Sequence, residues 1–124
     1  MDKSRGWILT NAHVTGRNPS EIKVKFKDQK YVEVNPIYID GYLDFFLLQV
    51  SQEKIPEAAK EAKINCDTRP DVGDAVGAFG HPFGLDFTGS RGIVSGLQFK
   101  WLRNWVQTDA AINKGNSGGP LLSL

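Results

Sequence analysis

The 124-residue chain has one Cys, one Met and two His. A single Cys excludes an internal disulfide framework and any site built from several cysteines. With two widely separated His beside it, no metal constellation forms, and neither a metal nor a cofactor is expected. Charge of one sign is also missing. Fifteen Lys+Arg against 14 Asp+Glu leave a formal charge of +1. That excludes the basic footprint of a nucleic-acid binder and an acidic disordered tail. Long hydrophobic runs are absent: the longest, Phe45 to Leu48, is far short of the roughly 18 residues a membrane span needs. The opening Met1-Asp-Lys-Ser-Arg5 is polar and runs straight into Gly6-Trp7, which does not read as a signal segment.

What is present is enough for a core and favours strands. Leu, Ile, Val and Phe make up about 27% of the chain, above the roughly 20% below which burial fails. Val, Ile and Thr outnumber Ala, Leu and Met, and 13 Gly with six Pro punctuate short apolar runs. Branched side chains pack well on a pleated surface, so an all-β barrel or sandwich is expected. Gly6 to Thr10 reads as a strand. Gly16 to Ser20 is a turn cluster. Glu21 to Lys27 alternates Ile22, Val24 and Phe26 with charges, so Lys23, Lys25 and Lys27 form a solvated face. Asp28 to Lys30 turns that strand into a hairpin partner, Tyr31 to Val34. Pro36 to Ile39 is extended, and Phe45 to Val50 is a buried strand. Glu53 to Lys63 is the one helix-like stretch, limited by Pro56 to about two turns, or else an irregular joint. Pro70 to Asp74 is a turn, Ala75 to Phe79 a strand and Gly80 to Gly84 a loop. A strand over Gly92 to Ser95 and an extended run from Trp101 to Thr108 follow, then a Gly-rich turn and Pro120 to Leu122.

The strongest local signal is Gly115-Asn-Ser-Gly-Gly-Pro120. A nucleophilic Ser needs a tight turn that exposes its hydroxyl, with backbone N–H groups aimed at a developing oxyanion. The same composition also makes an ordinary turn. A serine nucleophile needs a base, and the chain offers His13 and His81. The base needs a carboxylate. Asp44, at the mouth of the apolar run Phe45 to Leu48, is the best candidate, because partial desolvation there demands a hydrogen-bond partner. Asp40, beside Gly41, has an ordinary turn role. Two chain orders compete, His13–Asp44–Ser117 and Asp44–His81–Ser117. The second belongs with an α/β fold, for which helices are too few.

Several blocks together resemble one family. They are Gly6-Trp-Ile-Leu-Thr-Asn-Ala-His-Val14, Asp44-Phe-Phe-Leu-Leu-Gln-Val50, Gly73-Asp-Ala-Val-Gly-Ala-Phe-Gly-His-Pro-Phe-Gly84, Gly92-Ile-Val-Ser-Gly96 and Gln107-Thr-Asp-Ala-Ala-Ile-Asn-Lys-Gly-Asn-Ser-Gly-Gly-Pro-Leu-Leu122. In order and spacing they resemble the HtrA/Deg family of trypsin-like serine endopeptidases of protein quality control. The resemblance implies a double β-barrel, with a partial first barrel over 1–60 and a partial second over 64–124, truncated at both ends. It implies His13 as general base, Asp44 as its orienting carboxylate and Ser117 as nucleophile. The N–H groups of Gly115 and Ser117 would form the oxyanion hole, and Ile112 and Asn113 one wall of the substrate pocket. The stretch from His81 to Arg91 resembles the family's activation loop. The implied partner is a polypeptide substrate, unfolded or misfolded, with no nucleic acid and no membrane span. The implied location is the bacterial periplasm or cell envelope. Missing strands would leave unpaired edges that invite association with a second copy. They also motivate the alternative of a catalytically incompetent fragment or pseudo-protease that binds peptides or partner chains.

Two departures stand out. Phe46 occupies a position where the family usually has a small residue, and its ring is expected to crowd a well-packed core unless its neighbours compensate. His81 stands where the family usually has Asn. Elsewhere, Cys66 is expected as a small buried residue. Phe99, Trp101 and Trp105 alternate like one strand face and are expected to pack in a core or interface. Asp109 is expected either to orient the loop before Ser117 or to be a satisfied turn residue.

Overall fold

Alternation of apolar and polar residues sets the strands, and the turns between them set their order. The computed structural model describes residues 1–16, 20–27 and 29–124. Its contacts divide into two compact units, Met1–Ile64 and Asn65–Leu124.

In the first unit, β1 (Trp7–Thr10) and β4 (Asn35–Asp40) flank β5 (Phe45–Gln49), both antiparallel to it. Thr10 and Ile8 stand opposite Phe46 and Leu48. The two-residue period of a strand then sends Phe46, Leu48 and Val50 to one buried face. Phe45 and Leu47 on the other face are half-buried and Gln49 is exposed, so β5 is buried on one side rather than throughout. Burial of each such side chain contributes about 1.5–3 kcal/mol. Pro36 cannot donate to a ladder, and the β4–β5 register slips between Pro36 and Tyr38 on this edge strand.

A hairpin of β2 (Lys23–Lys25) and β3 (Tyr31–Glu33) packs beside this core. Ile22, Val24 and Phe26 are half-buried against it, while Lys23, Lys25 and Lys27 are exposed, as the alternation requires. The turns expected at 16–20 and 28–30 fall partly on residues 17–19 and 28, outside the described residues. Of the two alternatives for Glu53 to Lys63, a short helix or an irregular joint, the irregular joint is the one formed. A 3₁₀ turn, Gln52–Lys54, leads into irregular chain. Pro56 removes a donor at the point where a helix would have to propagate.

The second unit is a four-stranded antiparallel sheet in the order β8-β7-β6-β9. Its strands are β6 (Ala75–Gly80), β7 (Thr88–Lys100), β8 (Arg103–Thr108) and β9 (Leu121–Ser123). β7 is far longer than the segment over Gly92 to Ser95. A register shift between Val94 and Gly96 lets it bend and continue. Cys66 is exposed, not buried, because the stretch from Asn65 to Thr68 holds no regular structure and packs under nothing.

Trp101 and Leu102 form the two-residue turn between β7 and β8, with Lys100 opposite Arg103. Both have positive φ, 52° and 58°. Type I′ turns require this conformation and fill it with Asn-Gly, since it costs a bulky residue about 1–2 kcal/mol. The turn also corrects the expected single face of Phe99, Trp101 and Trp105. Phe99 lies opposite Asn104 and Trp105 opposite Gln98, so the two rings point to opposite faces and both are exposed. An even-numbered turn reverses the parity on which that expectation rested.

Phe46 is 3% exposed, within a cluster of Ala12, Val34, Leu48, Val50 and Ile55. The ring is filling space here. Phe46→Ala is therefore expected to lower stability by about 3–5 kcal/mol in urea unfolding. A neutral or stabilised variant would show that the ring is over-packed.

Candidate active site

Asn11, Ala12 and His13 follow β1 directly, and all three address one residue, Asp44. Ala12 opens a single helical turn, Ala12–Thr15, which carries His13 away from the sheet. The Ala12 N–H donates to the Asp44 carbonyl at 3.2 Å, and Asn11 Nδ2 donates to the same oxygen at 2.8 Å. The Asp44 carboxylate accepts from the His13 backbone N–H at 2.9 Å and lies 2.7 Å from His13 Nδ1. Asp44 itself has φ 55°, a left-handed conformation that Asp tolerates better than most residues. The preceding turn is set by Asp40, whose carboxylate accepts the N–H groups of Tyr42 and Leu43. Asp40 is thus the turn residue expected of it.

The Asp44 side chain is 38% exposed and that of His13 58%. Partial burial pushes the Asp44 carboxyl up. The hydrogen bonds from the His13 ring and the His13 N–H, with the attraction of a protonated His13, outweigh it and hold the group below its ordinary 3.8. With Nδ1 engaged, Nε2 is the ring nitrogen left to take or give a proton.

The second unit carries the serine turn. Ser117 is exposed in Gly115-Asn-Ser-Gly-Gly-Pro120. The Asn116 N–H donates to Asn113 O at 3.0 Å and the Gly119 N–H to Asn116 O at 2.8 Å. Among the described residues no acceptor engages the N–H of Gly115 or of Ser117. Gly115 has φ 106°, and a Cβ there would collide with the His81 carbonyl. The His81 N–H in turn donates to Gly115 O at 3.1 Å, and the Phe83 N–H to Lys114 O at 3.4 Å. The start of the His81–Arg91 stretch is therefore laced onto this turn.

Ile112 and Asn113 precede the turn and are exposed. Their approach is stapled to β7. Asp109 accepts the Ile93 N–H at 2.7 Å, Thr108 Oγ1 donates to Ile93 O at 2.8 Å, and Ser90 Oγ donates to Ala111 O at 2.8 Å. Asp109 thus orients the segment leading to Ser117.

His81, the competing base, is differently held. Its Nδ1 accepts the Phe87 N–H at 3.3 Å and lies 3.3 Å from the Asp86 carboxylate. A ring nitrogen that accepts from Phe87 has no proton to donate to Asp86. Such a ring carries its proton on Nε2, the opposite of the tautomer that the carboxylate gives His13.

The sequence profile of the trypsin-like peptidase domain matches residues 2–124. The chain belongs to this trypsin-like peptidase family. Within it the sequence is of the HtrA/Deg type. It is 38% identical, over its whole length, to the periplasmic pH-dependent serine endoprotease DegQ of Escherichia coli, of which it covers 28%. It is 40% identical to the periplasmic serine endoprotease DegP of Salmonella typhimurium, covering 26% of that protein. The chain thus spans about a quarter of the length of these relatives. A serine endoprotease from Yersinia pestis superimposes with a TM-score of 0.82 at 34% identity, over 99% of this chain and 42% of that one. The HtrA-type protease AlgW, solved with a decapeptide, gives 0.80 at 33%, over 96% of this chain and 37% of its own. The all-β, trypsin-like fold follows from these.

Residue-by-residue reading did not identify Asn11 or the Ala12 N–H as holders of Asp44. An Asn after a strand is too common to signal that role.

Because the Asp44 pKa is depressed on folding, its contribution is complete above 3.8, the unfolded value, and is lost as pH falls through the lower folded value. The stability gap between the parent chain and Asp44→Asn, from urea titrations, should shrink as pH drops below 3.8. A gap that widens there would contradict the assignment.

Proposed function

We propose that the chain is the catalytic part of a serine endopeptidase that acts through His13, Asp44 and Ser117. The observation that carries this reading is the 2.7 Å contact between His13 Nδ1 and the Asp44 carboxylate. It fixes the proton on Nδ1 and leaves Nε2 basic. His13 Nε2 takes the Ser117 hydroxyl proton as Oγ attacks the scissile carbonyl. The N–H groups of Gly115 and Ser117 stabilise the oxyanion, and Asp44 stabilises charged His13. His13 returns the proton to the leaving amine. Water then hydrolyses the acyl-enzyme, with His13 again as base, so the cycle needs no cofactor. Ile112 and Asn113 line one wall of the pocket for the substrate side chain. The substrates are unfolded or misfolded polypeptides, and the site of action is the periplasm, where the named DegP and DegQ relatives work.

A second reading is binding of peptides or partner chains without turnover. Exposed outer strands favour it. β8 and β9 each pair on one side only among the described residues, and both expose large apolar side chains.

A fluorophosphonate probe decides between them. The peptidase reading expects labelling at Ser117, abolished in Ser117→Ala and slowed about 10³-fold or more in His13→Ala. Gly115→Ala should slow it about 10²–10³-fold by displacing the oxyanion turn from His81. A folded sample that stays unlabelled, or labelling indifferent to Ser117→Ala, would remove the catalytic reading.

A further inference from the structure

His81 opens the loop that follows β6, and its ring takes no part in the catalysis proposed above. It stands where the family usually has Asn, so a titratable group enters the loop at this point. The backbone of His81 is fastened to the serine turn. Its N–H donates to Gly115 O at 3.1 Å, and its carbonyl fills the space that a Gly115 Cβ would need. Two residues on, the Phe83 N–H donates to Lys114 O at 3.4 Å.

The ring engages its own loop instead. One nitrogen, Nδ1, has two polar neighbours. The Phe87 N–H donates to it at 3.3 Å, and the Asp86 carboxylate lies 3.3 Å away. The Phe87 ring meets the imidazole near edge-on, with centroids 4.9 Å apart at 66°. The two polar neighbours need opposite protonation states. An N–H donor needs the Nδ1 lone pair, whereas a carboxylate needs a proton on Nδ1. Protonation therefore exchanges Phe87 for Asp86. The side chains of His81 and Asp86 are 51% and 73% exposed, and an ion pair so exposed adds little. The main effect of protonation is thus to release Phe87.

Phe87 has a reason to move once released. It has φ 53°, and Phe83 has φ 56°. Bulky residues adopt this left-handed conformation only where the surroundings hold them in it. The bond from the Phe87 N–H to His81 is one such restraint. The segments packed here bring few other charges. Lys114 lies on the serine turn, Arg91 stands on β7 opposite Gly77, and β6 carries none.

We infer that His81 is a proton-sensitive positioning residue for the Ser117 turn. Neutral, it holds Phe87 and keeps the loop laced to Gly115. Protonated, it releases Phe87, the lacing loosens, and the Gly115 N–H leaves its working position. The effect on catalysis rests on the peptidase reading; the exchange of partners does not.

NMR of the chain between about pH 5 and pH 8 tests the exchange without turnover. Expected is a neutral His81 with its proton on Nε2. The Phe87 and Gly115 amide shifts should follow the His81 ring through one transition. Phe87 amide protection should fall about tenfold as the ring gains its proton, roughly the worth of one hydrogen bond. His81→Asn should abolish the transition yet keep the protection, because Asn Oδ1 accepts an N–H at every pH. The transition should survive His13→Ala, which assigns it to His81. In fluorophosphonate labelling, the rate of His81→Asn relative to the parent should rise about threefold from about pH 8 to about pH 6. A Gly115 amide indifferent to the His81 ring, a neutral ring protonated on Nδ1, or a transition that persists in His81→Asn overturns the inference. So does a labelling ratio that stays flat with pH. The exchange seen by NMR with no labelling at any pH supports the positioning role and counts against the peptidase reading.

Discussion

A carboxylate at the mouth of a strand, gripped by the residues that leave the neighbouring strand, is the constraint on which the candidate site depends. β1 and β5 are antiparallel neighbours, so the end of one adjoins the start of the other. Asn11 and Ala12 hold the Asp44 carbonyl, and His13 holds its carboxylate through both backbone and ring. The strand pairing that buries Phe46 and Leu48 is thus the same pairing that aims His13. Core stability and imidazole orientation are coupled through a few residues at one sheet end. The left-handed backbone of Asp44 persists because four hydrogen bonds converge on it.

The serine turn is built on a different principle. Side-chain bonds fix the approach through Asp109, Thr108 and Ser90, and close backbone packing fixes the turn itself. Gly115 must be glycine because the His81 carbonyl occupies the space of a Cβ. Gly80 is constrained in the same way by Asn116, whose Oδ1 a Cβ would meet at 2.6 Å. The loop that begins at His81 therefore bears on the geometry of Gly115 through both a hydrogen bond and steric contact. A change in that loop has a direct mechanical route to the N–H groups proposed to bind the oxyanion.

Much of this was legible from residue order. Alternation in Glu21 to Lys27 gave the solvated lysine face, and the apolar run after Asp44 marked a partly desolvated carboxylate that needed a partner. Dense motifs around Ser117 carried the family resemblance. Where reading failed, the cause was long-range. Glu53 to Lys63 stayed open between helix and irregular joint, because the choice depends on packing that Ala-rich composition cannot report. The extent of β7 depends on a register shift near Gly96. The parity error over Phe99 and Trp105 came from a turn with no Asn or Gly to announce it. Cys66 was misjudged because average burial says nothing about one connecting segment. Asn11 was overlooked because its partner is 33 residues away.

The central claim is that Asp44 fixes the tautomer of His13. Nitrogen-15 NMR of the His13 ring, at a pH where the imidazole is neutral, measures this directly. The account predicts that Nδ1 carries the proton and that Asp44→Asn shifts it toward Nε2. A ring already protonated on Nε2 in the parent chain, or nitrogen shifts indifferent to Asp44→Asn, would contradict it.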